Sequence, residues 1–381
     1  MRIALIGTRG VPARYGGFET CVEEVGTRMA ARRHEVTVYC RNNGAQPLGE
    51  YRGMRLVHLP ALRVKSAETL THTALAAAHL ARNSTDVVLL FNVGNAPVLP
   101  LLRRLRYPVA VHVDGIEWQR SKWSGIGRRY FQMAERYAVT HANRLIADSR
   151  GMQQYYLQTH QASTIYIAYG APLIQENAED LLQPFGLEAG NFHLVVARIE
   201  PENNVRLIVQ GYCASSARLP LVVVGDTPYA KAYLQKIRSL ADSRVHFLGS
   251  IWNQEALDQL YRHCLLYLHG HSVGGTNPSL LRAAGAGAPV AAFDISFNRE
   301  VMSDDSEYFS TPEGVRAMIE VAEADPQSCR VRGIRGQERV TKAYDWDRVA
   351  DAYEALCLEL ANEEIELRLV PSERAPLPAQ K

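Results

Sequence analysis

Short apolar runs alternate with helix-patterned segments along nearly all of this 381-residue chain. They fall at 3–6, 35–40, 55–59, 87–91, 109–113, 145–147 and 164–168, then at 194–197, 221–224, 245–248, 265–268 and 290–293. Runs this short and this uniformly apolar, separated by helices, are the pattern of parallel strands covered on both faces. The series pauses once, over 172–190, a loose polar stretch with Pro184 and two glycines. The pattern therefore predicts an α/β protein of two doubly wound domains, at 1–172 and 191–343, joined by a linker at 173–190. A helix is expected at 344–363. The charged, proline-containing tail at 364–381 reads as disordered. Two such sheets facing each other place the loops after their strands in one cleft, where doubly wound sheets bind ligands.

Length is sufficient for two domains, and 47% apolar with 22% charged residues is a globular balance. A formal net charge of +2 gives no overall field for nucleic acid. The six cysteines show no CxxC and no metal-ligand spacing. They read as buried free thiols in a reducing compartment. No apolar run approaches the ~20 residues needed to span a bilayer, and the first residues run into a strand rather than a signal-peptide pattern. The expected location is cytoplasmic.

The stretch 269–287, HGHSVGGTNPSLLRAAGAG, carries the clearest chemistry. A strand leads into a Gly-Gly turn, then Asn277 at an N-cap position and Pro278 at the first helical position. Unpaired N–H groups and the dipole of such a helix start favour a phosphate. After the first strand, GTRGVPARYGGFET (7–20) has glycines at 7, 10, 16 and 17 that allow close backbone approach to a ligand. Their spacing is not G-x-G-x-x-G, so the usual dinucleotide fingerprint is missing and a dehydrogenase is disfavoured.

These two stretches, with HVDGIEWQRSKW (112–123), VARIEPENN (196–204) and YDWDRVADAYEAL (344–356), resemble the rhamnosyltransferase-type subgroup of the GT4 glycosyltransferase family. That subgroup carries a characteristic N-terminal domain. The resemblance spans nearly the whole chain and implies the GT-B architecture: two Rossmann-like domains, a donor bound mainly by the second, and a last helix crossing back to the first. It implies a retaining, metal-independent hexosyltransferase, with a nucleotide-diphosphate sugar as substrate and no separate cofactor. The first-choice donor is dTDP-L-rhamnose. The acceptor would be a polyprenyl-diphosphate-linked glycan, used in polysaccharide synthesis at the inner membrane surface by a cytoplasmic or peripheral enzyme.

The same resemblance assigns residues. Arg198 would grip the donor diphosphate, for which its fork and charge suit it; its usual lysine partner is replaced by Asn203. Further donor contacts fall on Gly16, Gly17, Asp226, Gly249, Ser250, Ile251, His271, Gly274, Gly275, Thr276, Asn277, Pro278, Ser279 and Leu280. The family's ribose-binding glutamate falls on Arg282, and its first glutamate falls in 271–274, which holds no acid. Arginine only donates hydrogen bonds, so either ribose recognition differs or Arg282 serves the phosphate, with loss of activity as a third reading; deoxyribose would lose less by the exchange. Ordinary loop histidines remain the other reading of His269 and His271. Asp114 and His112 are the catalytic candidates, a carboxylate being able to take an acceptor proton; the plainer reading of Asp114 is a turn cap. Lys65, Glu68, His72, Glu117, Trp118, Arg120 and Lys122 are acceptor-side candidates. Aromatics and cations interleaved over 118–131 suit an anionic lipid surface as well as they suit a solvated basic face over buried tryptophans. Two rival functions stand: a nucleotide-sugar epimerase on the same fold, and a non-catalytic sugar-nucleotide-binding scaffold.

Overall fold

The structure is a computed structural model that describes residues 1–13, 16–42, 47–62, 68–113, 115–120, 123–227 and 231–369, the last six by backbone alone. Its first sheet contains β1 (Arg2–Ile6), β2 (Glu35–Arg41), β3 (Glu50–Tyr51), β4 (Met54–Leu59), β5 (Val87–Phe91), β6 (Val109–His112), β7 (Arg144–Ala147) and β8 (Ile165–Tyr166). Their spatial order is β3-β4-β2-β1-β5-β6-β7-β8. The second sheet contains β9 (His193–Val196), β10 (Leu221–Val224), β11 (Val245–Gly249), β12 (Leu266–His269), β13 (Val290–Phe293) and β14 (Glu307–Phe309), ordered β11-β10-β9-β12-β13-β14. Strand β1 sits between β2 and β5 in parallel register, with Ile3 beside both Val36 and Val87. The β5 sequence VVLLF is buried throughout, which is why it shows no alternation.

The described helices of the first half are α1 (Gly17–Ala31), α2 (Glu68–Leu80), α3 (Leu99–Arg104), α4 (Gly125–His141) and α5 (Arg150–His160). Those of the second half are α6 (Val205–Cys213), α7 (Lys231–Arg238), α8 (Gln254–His263), α9 (Pro278–Gly285), α10 (Ser296–Met302), α11 (Pro312–Ala324), α12 (Pro326–Ala343) and α13 (Trp346–Leu369). Three of the described strands depart from the sequence pattern. Strand β14, beside β13 at the sheet edge, falls outside every expected run. The β3–β4 hairpin is antiparallel, with Glu50 opposite Arg55; a two-residue strand is too short to show periodicity. The run at 164–168 contributes only Ile165–Tyr166 to the sheet edge.

The two halves share one apolar cluster. It runs from Leu5, Val25 and Phe91 through Tyr169 and Ile174 to Leu280, Ala284 and the α13 residues Tyr353 and Leu360. Helix α13 leaves the second half and lies on α1. Arg28 donates to Asp347 at 2.6 Å, Arg32 to Glu354 at 2.6 Å, and the His34 ring meets Glu354 at 2.6 Å. All six cysteines are free, and only Cys213 is partly exposed.

Candidate functional site

Four strand ends of the second sheet build one rim. After β9, Arg198 projects with its side chain partly exposed, 4.0 Å from Glu200. The loop after β12 is tied to this segment: Asn204 donates to the Gly270 carbonyl at 2.8 Å, and Ser272 Oγ to the Glu202 carbonyl at 2.8 Å. After β10, Asp226 turns back to accept from the Thr227 N–H at 2.7 Å, while its carbonyl accepts from the Ile199 N–H. The Gly249 carbonyl accepts from the Gly225 N–H at 2.8 Å, and Ser250–Ile251 continue from there.

The rim is completed by the start of α9. Asn277 caps it, its Oδ1 accepting from the Ser279 N–H at 2.9 Å and the Ser279 hydroxyl at 2.8 Å. The Leu280 N–H bonds to the Asn277 carbonyl at 3.1 Å, and Pro278 has no N–H. The expectation of unpaired α9 N–H groups facing a phosphate is therefore corrected. Capping consumes them, leaving the dipole and the Gly274–Thr276 backbone ahead of the helix. Leu280 itself points into the core.

Behind this rim lies a chain of donors. Tyr267 Oη donates to Ser279 Oγ at 3.3 Å, and Ser279 Oγ in turn donates to Asn277. Tyr267 Oη is also 3.0 Å from His269 Nδ1. His271 stacks on His269, with centroids 4.4 Å apart. Burial, with the charges of Arg198 and Arg120 nearby, pushes the His271 pKa down to about 3. His269 is likewise pushed well down by burial. Both rings are neutral at neutral pH and can offer or accept hydrogen bonds, but they carry no cation to a phosphate.

The first domain closes on this rim. Gly115 is so near Gly274 that a Cβ there would lie 2.4 Å from its Cα, and a Cβ on Gly17 would lie 2.8 Å from the Pro278 ring. Glycine is required at these crossings because any side chain would separate the two loops. Thr276 Oγ1 donates to the Asp148 carbonyl at 2.8 Å, and Glu300 on α10 accepts from the Arg150 N–H at 2.8 Å. Arg120 reaches the same place from the first domain: it lies 2.7 Å from Glu117, and its charge acts on His271. Glu117 is buried, accepts from Trp123 Nε1 at 3.0 Å, and serves as the mount of Arg120.

The structure thus brings Gly16–Gly17, Arg120, Arg198, His271 and Gly274–Ser279 around one cleft. Other expected residues lie elsewhere. Asn203 is buried and donates to the Arg198 carbonyl at 2.7 Å, so its amide shapes the loop and does not stand in for a lysine. Arg282, one turn beyond Pro278, faces α8 and not the cleft. Its Nη1 donates to Asp258 at 2.5 Å, which neutralises the charge expected at the phosphate. His112 is enclosed by Phe91, Tyr169 and Phe18, with ring centroids 5.8, 5.5 and 5.1 Å away. Burial there drives its pKa to about 3, so a general base exposed to an acceptor is replaced by a core histidine. Trp118 turns inward to donate to Tyr155 at 3.2 Å. On α2, Glu68 stands 3.4 Å from Arg41, and His72 is buried beneath them. Asp114, Lys65 and Lys122 lie outside the described residues. Among the described residues, no group of three His, Cys, Asp or Glu side chains is arranged to hold a metal.

Sequence reasoning missed Asp148, Glu300 and Asp258. Asp148 alone left a trace: an acid at the end of a parallel strand, followed by Ser149, which caps α5 at Met152 with a 3.3 Å bond. Glu300 and Asp258 sit on helices whose partners are fixed only by packing.

The two facing sheets define the GT-B arrangement. Residues 191–324 match the family described as glycosyl transferases group 1. Residues 1–172 match a domain of unknown function, DUF1972. No curated protein sequence matches the chain. Among solved structures, sucrose-phosphate synthase from Thermosynechococcus elongatus superposes with a TM-score of 0.81 at 20% identity, covering 95% of this chain and 99% of that one. HepE from Anabaena in complex with UDP-glucose superposes with a TM-score of 0.78 at 18% identity, covering 93% and 99%. The UDP complex of HepE gives 0.76 at 16%, covering 94% and 100%.

Proposed function

We propose that this chain is a glycosyltransferase that moves a hexose from a nucleotide diphosphate sugar held by the second domain to an acceptor held against the first. The observation that carries this reading is the convergence of Arg198, His271 and the capped start of α9 on the Gly16–Gly17 turn across the cleft. The match of 191–324 to glycosyl transferases group 1, and the likeness to HepE with UDP-glucose, support it. Arg198 supplies the charge that draws a diphosphate, and the α9 dipole adds to it. Transfer proceeds with retention and without a metal. The C1–O bond to the leaving phosphate breaks, the acceptor oxygen bonds C1 on the same face, and the departing phosphate oxygen takes the acceptor's proton. Preorganised cations and dipoles stabilise the leaving diphosphate. The first-choice donor is dTDP-L-rhamnose and the acceptor a lipid-diphosphate-linked glycan at the inner face of the membrane. Resemblance supports both.

A thermal-shift series with dTDP, UDP, GDP and ADP identifies the base; a ligand at 100 times its Kd adds about 2.7 kcal/mol. Arg198→Ala should weaken nucleotide diphosphate binding by about 1.5–3 kcal/mol and nucleoside binding little. Equal losses for both ligands would remove Arg198 from the site. A second reading, a binding protein without turnover, draws on the locked Asn203 amide, the Arg282–Asp258 pair and the absence of acid at 271–274. Release of free nucleotide diphosphate from a bound donor, with or without acceptor, decides against it. Binding with no release by the native chain decides for it.

A further inference from the structure

Helices α3 and α4 lie side by side on the flank of the first domain, with Leu102 buried on one and Ala134 and Ala138 on the other in a common cluster. Arg103 of α3 reaches the carbonyl of Thr140 on α4. Their outer faces are unusual in composition. Ile126 is 87% exposed, Leu101 41%, Met133 40% and Tyr137 38%. Ile126, Arg129, Met133, Arg136 and Tyr137 follow helical spacing along one stripe of α4. Arg128 stands beside it, Arg103 meets its far end at Thr140, and Arg104 follows on α3, all exposed. Within 99–106 and 123–144 the single carboxylate is Glu135. It is buried, held by Tyr155 at 2.9 Å and His160 at 3.2 Å. Among the described residues of these two stretches, the exposed side chains therefore include Arg103, Arg104, Arg128, Arg129 and Arg136 and no acid, on a chain whose formal net charge is only +2. The field is local and has a direction.

We propose that the outer face of α3 and α4 is a docking surface for an anionic lipid bilayer. Arginines match the phosphate layer, and Ile126, Met133, Leu101 and the Tyr137 ring fit the boundary between headgroup and acyl chain. A nucleic acid would satisfy the arginines but leave an 87% exposed isoleucine against a polyanion. The aromatics that would stack on bases, Trp118 and Trp123, donate inward to Tyr155 and Glu117. The surface also differs from the segment expected from sequence: Trp118 and Trp123 are partly buried and donate inward, and the apolar side chains offered to the lipid are Leu101, Ile126, Met133 and the Tyr137 ring. The purpose of the docking rests on the lipid-linked acceptor reading; its geometry does not.

The test is co-sedimentation of the full chain with phosphatidylcholine vesicles, with and without phosphatidylglycerol. The native chain should bind only the anionic vesicles, and added salt should release it. Arg128→Gln, Arg129→Gln and Arg136→Gln combined should cut partitioning more than tenfold, each arginine near the surface contributing roughly fivefold. Ile126→Ser with Met133→Ser should also lower it, and the emission of Ile126→Trp should shift to the blue on binding. All these positions are exposed, and far-ultraviolet circular dichroism checks that the variants fold. Absence of native binding, insensitivity to the arginine triple, or binding unchanged by the apolar pair overturns the proposal; the last would point to a polyanion such as RNA. The dTDP, UDP, GDP and ADP thermal shifts, run on the same samples, separate the two readings. Lost vesicle binding with retained nucleotide shifts refutes the docking surface alone. Vesicle binding with no nucleotide shift refutes the transferase and leaves the surface standing.

Discussion

At the residue scale, Arg282 shows how a partner changes a role. Its sequence position after Pro278 suggests a cation for the phosphate, yet Asp258 holds it at 2.5 Å with both side chains less than a quarter exposed. We expect Arg282→Glu, which opposes two carboxylates, to cost about 2 kcal/mol of stability. Combining it with Asp258→Arg should restore most of that in a urea titration. If instead Arg282→Glu leaves stability intact and alters the ratio of UDP to dUDP affinity, the pair is not the residue's role. Histidine 112 makes a second case. Its folded pKa, about 3, lies below the ordinary value near 6.5. Between these values the unfolded chain binds a proton that the native chain refuses, so stability falls as pH drops through that window. His112→Phe, which suits a ring enclosed by Phe18, Phe91 and Tyr169, should reduce the slope by up to about 1.4 kcal/mol per pH unit between about pH 6 and about pH 4. An unchanged slope in acid-to-neutral melts would show that the ring is protonated in the fold.

At the element scale, α9 was legible in advance because capping is local chemistry. Asn277 before Pro278 marks the helix start, and the cap bond to Ser279 is present. What the local rule could not show is that the cap uses the very N–H groups a phosphate would want. Asn277→Ala should cost about 1 kcal/mol. Asn277→Asp keeps an acceptor for Ser279, so it should retain stability. It also places a negative charge at the start of α9 and should lower nucleotide diphosphate affinity at least several-fold. Retained affinity in Asn277→Asp, measured by calorimetry, would move the diphosphate away from this helix. The short strands β3 and β14 were not legible, since periodicity needs more residues than either contains. The amphipathic α4 was partly so: its arginines stood out in the sequence, whereas the inward turn of Trp118 and Trp123 depended on Tyr155 and Glu117.

At the scale of the whole molecule, the domains meet through backbone. Gly115 against Gly274 and Gly17 against Pro278 leave no room for a Cβ. Gly115→Ala should hold the cleft open, seen as a larger radius of gyration by small-angle scattering. Sugar transfer should fall while the nucleotide diphosphate thermal shift persists, because Arg198 and α9 both belong to the second domain. Gly49→Ala, where a Cβ meets nothing within 4 Å, is the control. Scattering and transfer that match the native chain would mean that the two loops slide past each other freely. The α/β class and the two series of parallel strands were determined by the sequence alone, because burial on both faces writes itself into composition and helix starts into neighbouring residues. The geometry of the cleft was decided only by tertiary structure. Arg120 finds His271 across the domain boundary, Arg282 finds Asp258 and turns from the cleft, and His112 disappears behind Phe18. Each of these depends on a residue distant in the chain, and a side chain's charge acts only where its partners leave it exposed.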